Sequence, residues 1–456
     1  MLKKYSLPDK VFELRYRSSP FDDVRFVRLT QGGSLYPCQK HYLKAYRNSV
    51  TNQRKDKNMK KGILWTAFIA LAMVFTLALN VSAEEGVTDT EIHIGQWGPQ
   101  TGPAAAWGSV ARGTDAYFKM INAQGGIHGR KLIHHMFDDG YNPAKTKAGV
   151  KELQEGTGMF AWVSGVGTAP GLSVKDYLME RKIPWIGPSA GSLHWITPPQ
   201  KYLFNVYPMY ATEARILCRY AVKELGKKRF AIIYQNDDYG KNGVIGAKEE
   251  LAKHGLKLVA EIPVDMKEGD LKPHVMQLKK SNADAVLLWT NVTHAVKTVG
   301  ISAAMQFQPQ FLSTSTCSDF PLMMHISKGL WKDVISATFA ELPDSDNPLM
   351  KKYKAEAFDK YAGKDERWGL FYYAGIAFAE PFVEALKQCG KDLTREKLVK
   401  ALEGLKDFQG ISGKIGYKPF DPKDPSCRRG QNQSFLVQCL EGAKAKKLSG
   451  WITVTE

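Results

Sequence analysis

Residues 90–140, TEIHIGQWGPQTGPAAAWGSVARGTDAYFKMINAQGGIHGRKLIHHMFDDG, constrain the fold more than any other stretch. Ile92 and Ile94 alternate with polar neighbours as in a strand, and Gly95, Gly98, Pro99, Gly102 and Pro103 then break the run. Ala111, Ala116, Phe118, Met120 and Ile121 follow at spacings that suit a helix packed on a sheet. Gly125, Gly126 and Gly129 stop that helix ahead of a second apolar run at 132–137. The unit is strand, helix, strand, and parallel strands require such a crossover. In open α/β sheets ligands are met beyond the carboxyl ends of the strands, so the turn at 97–107 is where a small molecule would first be bound.

The same grammar continues. Helices are expected at 143–155 and 171–182, with strands at 160–166, 183–186 and 202–208. It then restarts with a helix at 212–225 and a strand at 229–235, whose turn Asn236-Asp237-Asp238-Tyr239-Gly240 leads into another helix. Further strands fall at 256–264, 285–289 and 310–315, with helices at 271–280 and 293–304 between them. After a strand at 335–339 come helices at 348–361, 369–388 and 395–402, and then short strands at 414–417, 434–440 and 448–454. The fold class expected is α/β, with two doubly wound lobes.

The formal charge is +17, which raises the question of nucleic acid, but its distribution argues against it. Residues 1–83 carry about +10 of the total, and the rest shows no basic run interleaved with aromatics. From Met59 the chain reads MKKGILWTAFIALAMVFTLALNVSAEEG: a cationic start, an uncharged apolar run at 63–79, and Val81-Ser82-Ala83 before Glu84. This is the pattern of a secretory signal peptide at 59–83, cleaved after Ala83, and it places the mature chain in an exported compartment. An uncleaved membrane helix at 63–79, holding a ligand-sensing ectodomain, is the alternative reading. Residues 1–58 stand in front of this export segment without a clear period, and are expected to be a disordered, over-long start upstream of Met59.

Gly187-Pro188-Ser189-Ala190-Gly191 is literally G-x-S-x-G, the nucleophile elbow of serine hydrolases. An elbow needs a helix directly after the serine, and here Thr197-Pro198-Pro199 follows within a few residues, so catalysis by Ser189 is the weaker alternative. A serine at the end of a strand can instead hydrogen-bond a ligand. Adjacent residues on a strand point opposite ways, so Asp138-Asp139 and Asp237-Asp238 are expected to cap helices or order turns rather than to form acid–base pairs. Gly95, Gly98 and Gly102 fit no phosphate loop, and the histidines have no metal spacing, so neither a metal nor a cofactor is expected. Cys427 and Cys439 are the only cysteines close in sequence, and an oxidising compartment permits them to pair. Trp107 reads equally as a core residue or as an aromatic wall.

TGPAAAWGSVARGTDAYFKMINAQGGIHGRKL followed by FDDGYNP, and later AIIYQNDDYGKNG, resemble the periplasmic substrate-binding proteins of the branched-chain amino acid ABC transporters, which are leucine-binding-protein-like. The resemblance extends over residues 84–456 and implies the type I periplasmic-binding fold, with two lobes joined by three crossover strands and the ligand between them. It places lobe one at 90–208 plus 338–410 and lobe two at 209–337 plus 411–456. It implies a non-catalytic, monomeric receptor that passes a small carboxylate-bearing solute, an amino acid or an aromatic acid, to an ABC permease in the inner membrane. The family's first-turn aromatic falls on Trp107, and its carboxylate-binding hydroxyl on Thr168 beside Ala169. Its next strand-end loop falls on Ser189, Ala190 and Gly191 with Ser192 close by, and its lobe-two tyrosine on Tyr239. The family's amino-acid binders place a carboxylate in lobe two for the ligand ammonium. The matching loop here, around Ser315, has none, and Asp319 is the nearest substitute. An unpaired buried ammonium is costly, so this departure puts an α-amino acid ligand in question.

Overall fold

The structure is a computed structural model that describes residues 84–453; the export segment at 59–83 and the stretch 1–58 lie outside the described residues. Two parallel sheets organise the chain. The first contains β1 (Glu91–Gly98), β2 (Lys131–Asp138), β3 (Ala161–Val163), β4 (Trp185–Ile186) and β5 (Leu203–Phe204), in the order β2-β1-β3-β4-β5. The crossovers are α1 (Ser109–Ala123), α2 (Pro143–Gly156) and α3 (Thr168–Glu180). β1 is buried from Gly95 onward, because helices cover both faces of a parallel sheet and the early alternation gives way to a fully apolar environment.

The second sheet is fed by α4 (Tyr210–Lys223). It comprises β6 (Phe230–Gln235), β7 (Leu258–Val264), β8 (Ala285–Trp289), β9 (Gln310–Ser313) and β10 (Ile335–Thr338), which run parallel in the order β7-β6-β8-β9-β10. Their connections are α5 (Asp238–Lys253), α6 (Lys272–Lys280), α7 (Val292–Ala304) and the short α8 (Phe320–Ile326). All five residues of β8, Ala-Val-Leu-Leu-Trp, are buried, as the central strand of a doubly covered sheet requires.

The chain then returns to the first lobe. α9 (Pro348–Tyr353) continues through a π-helical turn, Lys354–Phe358, that packs on α1. α10 (Leu370–Cys389) also lies along α1, and α11 (Arg395–Gly404) packs on α10. After the hairpin β11 (Phe408–Gly410) and β12 (Gly413–Ile415), the chain crosses again to lay β13 (Gln433–Cys439) antiparallel against β10. β14 (Ala445–Lys447) and β15 (Ile452–Thr453) both pair with β13.

Three segments therefore pass between the sheets, and they lie side by side. Asn205 N–H donates to the Arg428 carbonyl and Gly430 N–H to the Asn205 carbonyl, while Glu341 N–H donates to the Ile411 carbonyl. This explains why β5 is shorter than the strand expected at 202–208: at Asn205 the backbone leaves the sheet to pair with the third crossover. Arg428, fully buried, anchors the bundle by donating to the carbonyls of Gln200, Lys201 and Lys418 and to the Glu403 carboxylate at 2.6 Å.

Cys427 and Cys439 do not pair. Among the described residues both are free, along with Cys218, Cys317 and Cys389. Cys427 sits in a turn where its Sγ faces the Asp421 carbonyl, whereas Cys439 ends β13. A strand advances about 3.3 Å per residue, so the seven residues of β13 carry Cys439 roughly 20 Å along the sheet. Disulfides need Cα atoms within about 7 Å.

Candidate functional site

The carboxyl ends of the two sheets face each other across a narrow cleft with a cavity volume of about 40 Å³. Aromatic rings from both lobes form much of its wall: Trp107 and Tyr141 from the first, Tyr239 from the second, and Tyr210 from the start of α4. The polar lining is uncharged and consists of Ser189, Gln235, Thr290, Asn291 and Thr316.

Trp107 lies in a short 3₁₀ turn just before α1 and packs at a tilt on Phe371 of α10, with ring centroids 4.2 Å apart. Its indole N–H crosses the cleft to the Thr316 carbonyl at 3.2 Å. It is therefore both core and wall: one face is packed, and one edge links the lobes. Thr316 is tied in turn to Tyr239, whose hydroxyl lies 2.7 Å from Thr316 Oγ1 and donates to the Thr290 carbonyl at 3.2 Å. Tyr239 also meets Tyr210 edge-on at 4.8 Å. Beyond the pocket, Leu193 N–H donates to Asn242 Oδ1 at 3.1 Å, a second bond between lobes.

Thr168 opens α3, and Ser189 extends β4 in a bridge to Val166. Only 1% of Thr168 and 3% of Ser189 is exposed, yet neither hydroxyl has a hydrogen-bond partner among the described residues. Ser189 lines the cleft, whereas Thr168 is outside the lining and follows its residue Gly167. Buried polar groups are ordinarily satisfied, so these two orphan hydroxyls mark a place where polar ligand atoms fit. Ser189 Oγ also lacks the base that a nucleophile needs, and only a three-residue 3₁₀ turn, Leu193–Trp195, follows it.

The other residues singled out from the sequence sit nearby in structural roles. Ala169 is the second residue of α3. The Ala190 carbonyl receives the Trp195 indole N–H at 2.8 Å, and the Gly191 carbonyl receives Tyr210 N–H at 2.7 Å. Ser192 caps the following turn by accepting from His194 N–H. Ser315 is turned away from the cleft: its hydroxyl bonds to Glu213 and lies 2.7 Å from the Tyr207 hydroxyl. Its neighbour Thr316 takes the place in the lining.

Carboxylates surround the site without entering it. Glu213, in the first turn of α4, is fully buried beneath loop 314–316, where it accepts from the Thr314 hydroxyl and from the N–H and hydroxyl of Ser315. Burial pushes its carboxyl up to about 7. Asp237 caps α5 and accepts from the Gln235 amide at 2.6 Å; burial raises it as well. Asp319 caps α8 and receives Phe371 N–H at 3.0 Å, so it serves the start of α10 and does not line the cleft. It is not the missing ammonium partner. Asp138 and Asp139 order the turn after β2: Asp138 accepts from Gly140 N–H, and Asp139 accepts from Tyr141 N–H and the Thr146 hydroxyl. Sequence reasoning missed Tyr141, Tyr210, Gln235 and Thr316. The signal for Tyr141 was its place just past a strand end, in the Asp-Asp-Gly turn.

Residues 91–442 match the sequence model of the periplasmic binding proteins. The Leu/Ile/Val-binding protein homolog 3 of Brucella melitensis is 27% identical over 197 residues, covering 43% of this chain and 53% of the relative. The chain thus spans about half the length of that relative, whereas the match to Leu/Ile/Val-binding protein homolog 1 of Brucella abortus, at 22% identity, covers 79% of this chain and 94% of the relative. The crystal structure of a substrate-binding periplasmic protein from Ralstonia solanacearum superposes with a TM-score of 0.72 at 23% identity, covering 78% of this chain and all of that one. The chain therefore belongs to the periplasmic binding protein family and has its type I fold.

Proposed function

We propose that this chain is an extracytoplasmic receptor that captures a small carboxylate-bearing solute between its lobes and delivers it to an ABC permease. Lobe one, at 90–208 plus 338–410, binds first, and lobe two, at 209–337 plus 411–456, closes over the ligand. The chain acts as a monomer in the periplasm, released from its export segment after Ala83. The observation that carries this reading is the pair of buried, unpartnered hydroxyls, Thr168 Oγ1 and Ser189 Oγ, beside an aromatic cleft. Hydroxyl donors suit a carboxylate, and the rings of Trp107, Tyr210 and Tyr239 suit its apolar body. Only a ligand touching both lobes gains from closure, which makes closure selective.

Relatives are named for leucine, isoleucine and valine. Among the described residues no carboxylate lines this cleft, however, and the buried acids Glu213 and Asp237 are already engaged by donors of their own. An acid without the α-ammonium is therefore the ligand the site favours, since an ammonium buried here would have no ionic partner. The test is a thermal-shift comparison of matched pairs: L-leucine with isocaproate, and L-phenylalanine with hydrocinnamate. A ligand at about 100 times its Kd adds about 2.7 kcal/mol, which for a chain of this size raises Tm by about 3 °C. The acids are expected to stabilise and their amino counterparts not to. Stabilisation by the amino acids alone would place an ammonium in the cleft and overturn the preference.

A further inference from the structure

Tyr141 is held in an unusual way. It lies in the left-handed region at φ 58°, where a bulky side chain is rare, and such conformations persist where the surroundings over-determine them. Those surroundings are Asp139, which accepts Tyr141 N–H at 2.9 Å, and Asp138, which holds the preceding Gly140 at 2.9 Å. The turn throws the ring across Gly167, itself at φ 101°, where a Cβ would come within 2.5 Å of the ring. No residue but glycine fits beneath it. The ring lines the cleft together with Gly167 and Ser189.

The ring shares the cleft lining with Gln235 from lobe two and with Ser189 from lobe one. A phenol hydroxyl carries a proton that it can donate. The hydroxyls of Ser189 and of Thr168, which follows the lining residue Gly167, are both buried and unpartnered among the described residues.

We infer that Tyr141 is a specificity-determining residue of the cleft: its hydroxyl is a third donor to the charged end of the ligand, and its ring is an end wall that limits ligand length. This rests on the carboxylate reading above and adds to it a residue and a size limit.

The test measures binding of straight-chain acids, butanoate, hexanoate, octanoate and decanoate, together with isocaproate, to the wild type, Tyr141→Phe and Tyr141→Gly by calorimetry. Tyr141→Phe keeps the wall and loses the donor; it is expected to weaken every acid about tenfold or more, as loss of a hydrogen bond to a charged group does, without moving the length cut-off. Tyr141→Gly relieves the backbone and removes the wall; it is expected to accept acids longer than the wild type does. If the wild type binds acids and both variants reproduce its affinities and cut-off, Tyr141 is only a packing residue and the inference is overturned while the carboxylate reading stands. If the wild type binds none of these acids, the carboxylate reading fails, and the role of Tyr141 fails with it.

Discussion

Glu213 makes the binding loop of the second lobe sensitive to pH, and the size of the effect follows from its surroundings. The carboxyl is fully buried, and burial carries it from 4.5 to about 7 in spite of three donors from Thr314 and Ser315. For an acid whose folded value lies above its unfolded value, the contribution to stability is fully present below about pH 4.5 and is lost as pH rises to about 7. Each unit is worth about 1.4 kcal/mol, so the loss over that window is about 3 kcal/mol. Glu213→Gln mimics the protonated form. Its amide oxygen can accept from Thr314 and Ser315 N–H, and its amide nitrogen can donate to Ser315 Oγ, which then donates to Tyr207. Calorimetric melting of both proteins from pH 4.5 to 8 is the assay. With an unfolding entropy of about 2.1 cal/mol/K per residue over roughly 370 residues, the variant should match the wild type at pH 4.5 and melt about 4 °C above it at pH 8. Glu380, which burial pushes up to about 8, titrates in an overlapping window, but it is present in both proteins and cancels in the difference. A wild-type-minus-variant difference that stays flat across this range would mean that Glu213 is ionised throughout, and the reasoning from burial would be refuted.

Other outcomes follow from single contacts. Arg428→Ala removes a buried guanidinium that ties Gln200, Lys201 and Lys418 to Glu403 at the crossovers, and should cost about 3–5 kcal/mol in urea unfolding. At Gly113 in α1 a Cβ would overlap the Tyr372 carbonyl of α10, so Gly113→Ala should push these helices apart and cost about 1–3 kcal/mol by the same measurement. Titration of thiols in unfolded, unreduced protein should recover Cys427 and Cys439 as free thiols, and a loss of two thiols restored by reductant would show that they do pair.

Much of the architecture was legible because it is written in local patterns. Strand ends marked by Gly or Asp, such as Gly98 and Asp237, and apolar helical stripes such as Ala116 to Ile121 are one-dimensional signals of a three-dimensional crossover. The cleft was legible in part. Trp107, Ser189 and Tyr239 stand at strand-end turns, where α/β sheets present their ligands, and the structure puts all three in the lining. Tyr141 was legible only as a residue just past a strand end, because its entry into the cleft depends on a left-handed backbone set by Asp139, which no periodicity reports. Glu213 reads as an ordinary acidic residue in the first turn of a helix, and only the packing of loop 314–316 above it makes it a buried acid. Ser315 and Thr316 were separated by one residue of register: the 3₁₀ turn at Ser315–Cys317 points the first inward and offers the second to the cleft. The cysteine pair misled because separation along the chain says nothing of an intervening extended strand.

The central claim is that Thr168 and Ser189 hold the charged end of a small acid. Isothermal titration of isocaproate into the wild type, Thr168→Val and Ser189→Ala tests it most directly, because each substitution deletes one orphan hydroxyl and disturbs no existing hydrogen bond. Binding by the wild type, weakened about tenfold or more by either substitution, is the predicted result. Undiminished affinity in both variants would contradict the account.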